Sequence, residues 1–150
     1  MISARTIITR QEPEPVKIYS IRGRHLTILS NGRVGSTNEL NSSSSNVKII
    51  PKGKNEFTIQ SQLNGLFISA STNGRLRAVL DQDEATHFTE ENIQANSFNA
   101  YKLASNSKCT LIMRKNGKLR ISCNQQVRTS QVSFLRRKIH QNRLNRGGHF

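Results

Sequence analysis

The sequence predicts an all-β fold built from three repeated units, and three observations carry that prediction. One pattern occurs three times, at His25–Val34 (HLTILSNGRV), Phe67–Leu76 (FISASTNGRL) and Thr110–Leu119 (TLIMRKNGKL). Each copy holds an Asn-Gly pair, starting at Asn31, Asn73 and Asn116, with spacings of 42 and 43 residues. Around each pair the apolar residues alternate: Leu26 and Ile28, Ile68 and Ala70, Leu111 and Met113 before it, then Val34, Leu76 and Leu119 after it. Alternation with period two marks strands with one buried face, and Asn-Gly between two such runs marks a hairpin, expected here as a type I′ turn with φ > 0 at both residues. No apolar stretch keeps a helical period over ten residues.

The elements follow in chain order. Residues 1–16 contain Glu12-Pro13-Glu14-Pro15 and no periodicity, and read as a flexible arm. The first hairpin centres on Asn31-Gly32, followed by the polar loop Asn41–Asn46 and the apolar clusters Val47–Ile50 and Phe57–Ile59. The second centres on Asn73-Gly74 and is followed by Phe88 and Phe98–Tyr101. The third centres on Asn116-Gly117 and is followed by Val132–Leu135. The end, 139–150, reads as a basic flexible tail. Three units of this length over 17–138 suit a closed β-trefoil barrel of about twelve short strands, because closure removes exposed edges. Three propeller blades would be too few. Leu26, Ile28, Ile68, Leu111 and Met113 are predicted to be buried near the threefold axis. A chain of 150 residues is typical of one domain.

Charge narrows the function. The chain has 23 Lys and Arg against 9 Asp and Glu, a net +14. From Asn92 to Phe150 there are 12 Lys and Arg and no acid, while Asp81, Asp83, Glu84, Glu90 and Glu91 form an acidic strip. A long surface of one sign attracts polyanions, and exceeds what a merely solvated face requires. No stretch approaches the ~20 apolar residues of a membrane span, so no membrane insertion is predicted. The start, from Met1 to Arg10, lacks the apolar core of a signal peptide. No nucleophile elbow, phosphate loop or zinc spacing occurs, and the acidic strip offers no positioned acid pair, so neither an enzyme nor a cofactor or metal site is predicted. His25, His87, His140 and His149 have no ligand spacing, and His87 reads as a packed strand residue. Cys109 and Cys123 flank the third Asn-Gly pair. Strict pairing about a two-residue turn sets Cys123 opposite Thr110, so two free thiols are expected. Asn41-Ser42-Ser43 is a glycosylation sequon in a loop.

These runs resemble the fibroblast growth factor family. Gly23–Val34 resembles the family's first hairpin, G-x-x-L-x-I-x-P-D-G-x-V, with Ser30 in place of the proline. Phe57–Leu76 resembles its central V-x-I-x-S-x-x-T-G-x-Y-L-A-M-x-x-x-G-x-L stretch. Asn96–Tyr101 resembles N-x-Y-N-x-Y, and Leu111–Gly117 resembles the entry to the heparin loop. Phe134-Leu135 stands where the family has F-L-P, with Arg136 and Arg137 following. His87 replaces a core cysteine. The resemblance covers 17–138, in order and with matching spacing.

The resemblance implies a secreted growth-factor ligand that binds heparan sulfate and a fibroblast growth factor receptor tyrosine kinase, promoting receptor dimerisation and signalling. Arg114, Lys115, Asn116, Lys118, Arg120 and Arg128 would bind heparin, with Arg22 and Arg24 in an abutting loop. Sulfates suit this set, since Lys and Arg give them charge-assisted hydrogen bonds. Tyr19, Glu91, Asn96, Phe98 and Leu135 would contact the receptor, with Phe98 outside the barrel and Tyr101 in its core. Arg137 stands at an apolar contact of the family. The competing class is a basic trefoil that binds polyanions without receptor activity. Nucleic acid fits it poorly, because 102–150 offers only Phe134 and Phe150 as stacking platforms. A sugar-binding trefoil would show a repeated Q-x-W, and the chain has no Trp.

Overall fold

Alternation and turn chemistry produce twelve strands in a computed structural model that describes residues 13–71, 73–93, 97–123 and 127–139. Most of the predicted arm and tail lies outside the described residues. The strands are β1 (Val16–Ser20), β2 (Arg24–Ile28), β3 (Val34–Thr37), β4 (Val47–Pro51), β5 (Glu56–Ser61), β6 (Phe67–Ala70), β7 (Leu76–Val79), β8 (Phe88–Asn92), β9 (Asn99–Leu103), β10 (Asn106–Met113), β11 (Leu119–Ser122) and β12 (Phe134–Lys138). One short helix, α1 (Thr129–Val132), precedes β12, and 3₁₀ turns occupy Ser43–Ser45 and Glu84–Thr86. No described helix is long and apolar enough to cross a membrane.

The pairing closes on itself. β1 pairs with β4, β4 with β5, β5 with β8, β8 with β9, β9 with β12, and β12 with β1, all antiparallel. From this six-stranded barrel hang three hairpins: β2–β3 from β1, β6–β7 from β5 and β10–β11 from β9. The hairpins meet in a cap. Gly32 O accepts from Ala78 N–H at 2.9 Å, and Gly74 O accepts from Ile121 N–H at 2.9 Å. In the third corner Gly117 O accepts from the Ser36 hydroxyl. The cycle expresses the threefold repeat as hydrogen bonds, with a side chain replacing the backbone donor once. This architecture is the predicted β-trefoil.

Leu26, Ile28, Ile68, Leu111 and Met113 are all buried, as predicted. Below them Phe57, Phe88, Tyr101 and Phe134 form an aromatic layer, with Tyr101 and Phe134 stacked at 5.7 Å and Phe57 edge-on to Tyr101 at 5.5 Å. A second cluster of Ala100, Ile112 and Val132 seats α1 against the outer face of β10. Lys17 is buried too, and its Nζ donates to Ser42 O, Ser45 Oγ and Asn46 Oδ1 at 2.6–2.9 Å. These three acceptors offset the lost hydration, and desolvation lowers its pKa.

Three expectations are corrected. The Asn-Gly turns are not type I′: each glycine takes φ near +88°, +89° or +86°, while neither Asn31 nor Asn116 has positive φ. Gly32 N–H bonds Leu29 O, and Leu29 N–H bonds Arg33 O; Gly74 and Gly117 repeat the pattern with Ser71 and Arg75 and with Arg114 and Lys118. This is a three-residue loop, a type I turn closed by a glycine bulge, and it adds one residue to the register. That residue overturns the free-thiol expectation. Thr110 lies opposite Ser122, so Cys109 faces Cys123, and the two form a disulfide. His87 is not a packed strand residue. It ends the Glu84–Thr86 turn one position before β8, half-buried, with Nδ1 3.2 Å from Glu56 Oε1.

Candidate functional site

The third hairpin is built to hold cations outward. Its turn is locked by Gly117 N–H to Arg114 O at 2.9 Å and Arg114 N–H to Lys118 O at 2.8 Å. Asn116 Oδ1 accepts from Lys118 N–H at 3.0 Å, which leaves the amide Nδ2 available as a donor. Arg114, Lys115 and Lys118 are exposed and Arg120 half-buried. Among the described residues no carboxylate pairs with any of them.

The two flanking arginines divide the work. Arg24 is the first residue of β2, not a loop residue. Its Nε donates to Ser36 Oγ at 2.7 Å and its Nη2 to Ser36 O at 3.0 Å. It lies so close to the turn that a Cβ on Gly117 would sit 2.7 Å from Nε and 2.9 Å from Ser36 Oγ. Arg24 therefore braces the hairpin. Arg22, in the turn before β2, reaches Ser130 Oγ on α1 at 3.3 Å. Arg128 is exposed at the start of α1, which packs on β10, the strand that leads into the hairpin. Arg22 and Arg128 thus both border α1, and Arg24 joins the turn.

The second set of predicted residues lies on consecutive barrel strands. Tyr19 on β1 pairs with Leu135 on β12, and both are half-buried. Phe134 pairs with Asn99 on β9, and half-buried Phe98 stands just before that strand. Glu91 on β8 pairs with Ala100 and is 64% exposed at its side chain. Asn96 lies outside the described residues. Tyr101 is in the core, and burial, aided by the Glu90 carboxylate, raises its phenol pKa.

Contacts on this wall that the sequence reading missed are internal ones. Arg136 Nη2 lies 2.6 Å from Glu90 Oε1, and its guanidinium sits 5.2 Å from the Phe57 ring centroid. Arg137 lies over the Tyr19 ring at 4.7 Å. Lys102 Nζ is 2.7 Å from Glu91 Oε1. Beneath Arg137, His25 is buried, and desolvation, then Arg137 and Lys17, lower its pKa from the ordinary imidazole value. Also missed were the cations after the other two turns, Arg33 and Arg75, although the repeat itself spells Asn-Gly-Arg twice and Asn-Gly-Lys once.

The fibroblast growth factor family model matches residues 14–135, from just before β1 to the start of β12, with all three hairpins between. The chain belongs to the fibroblast growth factor family. No curated protein matches it in a sequence search. The fold of the fibroblast growth factors is the β-trefoil, and its members are non-enzymatic signalling ligands. This fibroblast growth factor is accordingly a growth-factor domain without catalytic activity, in a family that generally binds heparan sulfate and receptor ectodomains.

Proposed function

We propose that this fibroblast growth factor acts outside the cell, as a ligand that binds heparan sulfate through its third hairpin and a receptor tyrosine kinase ectodomain through the wall formed by β1, β12, β9 and β8. The observation that carries the glycan half is the braced turn, which presents Arg114, Lys115, Lys118 and Arg120 with no carboxylate partner among the described residues. Fixed sulfates replace water around such cations and release counterions, so binding weakens steeply with salt. Arg22, Asn116 and Arg128 add donors beside the hairpin, while Arg24 contributes mainly by fixing its shape.

The receptor half rests on the exposed Glu91, the half-buried Tyr19, Phe98 and Leu135, and Asn96. Such a mixture suits an interface in which a few apolar anchors sit beside one acceptor carboxylate. Glycan and receptor surfaces on different strands let one sulfated chain gather ligand and receptor, which promotes receptor dimerisation. The test is paired capture. Immobilised heparin should retain the protein until salt releases it, and a cognate fibroblast growth factor receptor ectodomain should retain it independently. Retention on heparin with no receptor ectodomain bound would leave only a polyanion-binding trefoil.

A further inference from the structure

We propose a second sulfate-binding subsite in the groove between the hairpins, formed by Arg33, Arg75 and Arg77 and continuous with Lys118 and Arg120. It rests on the reading that the third hairpin binds a sulfated glycan, and it extends the glycan track across the trefoil cap. The groove has a volume of about 870 Å³ and takes lining residues from all three hairpins. Gly32 and Ala78, joined by Ala78 N–H on Gly32 O at 2.9 Å, are among the residues that line it.

The charges are arranged against their own interest. Arg33 and Arg77 face one another as a direct antiparallel pair across the seam between the first two hairpins. Paired residues project to the same side, and like charges directly opposite destabilise a sheet. Arg75 adds a third cation, and Arg120 closes the far side, its Nη2 3.5 Å from Asn73 O. No carboxylate pairs with Arg33, Arg75 or Arg77 among the described residues. The nearby acids Asp83 and Glu84 line a different cleft, beyond Ser71 and Gly74, so they bound the track without neutralising it. A bound polyanion relieves this repulsion. Because Lys118 and Arg120 belong to both the hairpin and the groove, one linear chain of repeated sulfates fits the arrangement better than a single small anion. The subsite therefore recognises length: a short oligosaccharide occupies the third hairpin, and a longer one runs on to Arg33 and Arg77.

The test is calorimetry with size-defined heparin tetrasaccharides and dodecasaccharides at fixed salt. The unaltered protein should bind the dodecasaccharide about tenfold more tightly per site than the tetrasaccharide. The triple variant Arg33→Ala, Arg75→Ala, Arg77→Ala should keep the tetrasaccharide affinity and lose the gain with length. Its melting temperature should be unchanged or higher, since like-charge repulsion is removed. A control triple, Lys52→Ala, Lys108→Ala, Lys138→Ala, removes equal charge elsewhere and should keep the gain. Equal losses in both triples, or a gain that survives loss of the three arginines, would overturn the subsite. Tighter binding of single-stranded DNA than of the dodecasaccharide would overturn its assignment to glycan. If the tetrasaccharide bound equally well to the unaltered protein and to Lys115→Ala, the failure would belong to the third hairpin and not to the groove.

Discussion

The hairpin cap and the barrel wall around β12 both carry arginine, and they treat it in opposite ways. On the wall every named cation has an internal contact: Arg136 with Glu90 and the Phe57 ring, Lys102 with Glu91, Arg137 with the Tyr19 ring. On the cap Arg33, Arg75, Arg77, Arg114, Lys115 and Lys118 have no carboxylate among the described residues. Exposed pairs such as those on the wall contribute only about 0–1 kcal/mol each to stability, so their main effect is to fix side-chain positions. Unneutralised cations instead produce a field that a polyanion feels over roughly 8 Å at physiological salt. The wall is thus suited to a partner read by shape, and the cap to one read by charge density.

Reversing charge on the cap should give the largest effect. Lys115→Glu with Arg120→Glu removes two charge-assisted contacts, about 3 kcal/mol together, or roughly a hundredfold in heparin affinity by calorimetry. Arg136→Ala with Arg137→Ala, which removes two cations from the wall, should change heparin affinity by no more than about twofold. Similar losses in both would dissolve the contrast between the two regions.

Glu91→Ala probes the wall in turn. Loss of an interface anchor costs about 2 kcal/mol, so receptor-ectodomain binding should weaken roughly thirtyfold in surface plasmon resonance, with heparin retention unchanged or slightly stronger. Phe98→Ala should do the same. A drop in its melting temperature with receptor binding retained would assign that ring to packing.

Gly117→Ala tests whether the cap depends on its brace. The new methyl group meets positive φ and the Arg24 guanidinium. A loss of about 2 kcal/mol, or about 4–8 °C in melting temperature, is expected from calorimetric scans.

The smallest effect is the pH dependence arising from His25 under the wall. Its folded pKa lies below 6.5 because burial, Arg137 and Lys17 all oppose protonation. The unfolded chain therefore binds the extra proton first. This stabilising contribution is complete above about pH 6.5 and declines as the pH falls towards the folded pKa. His25→Asn should flatten the decline in denaturant midpoints measured across that range.

The fold was legible because the repeat wrote it three times over. Alternation around Asn31, Asn73 and Asn116 located the hairpins, and the five residues predicted for the axis are buried there. What escaped was a matter of one residue. Asn-Gly serves both the two-residue type I′ turn and the three-residue bulged loop, and only backbone φ separates them. That single step moved Cys109 opposite Cys123. Charge was legible as quantity and not as pairing: the bonds of Arg24 to Ser36, and the place of Arg137 over the Tyr19 ring, are not written in the local sequence. Both depend on partners more than a hundred residues or a hairpin away, beyond the reach of local pattern.

The disulfide has a consequence for where the molecule works. Cys109–Cys123 closes a ring of chain around the cationic turn. Closing a loop of that size stabilises a fold by about 3 kcal/mol, and such bonds persist in oxidising surroundings while cytosolic thiol systems keep cysteines reduced. With the bond reduced, the turn would keep its charges on a frame held by the β10–β11 pairing alone, and ordering it on a polyanion would carry an entropic penalty. Oxidation removes that entropic penalty in advance. On the proposed glycan reading, the hairpin would hold sulfate more tightly with the disulfide formed than with it reduced.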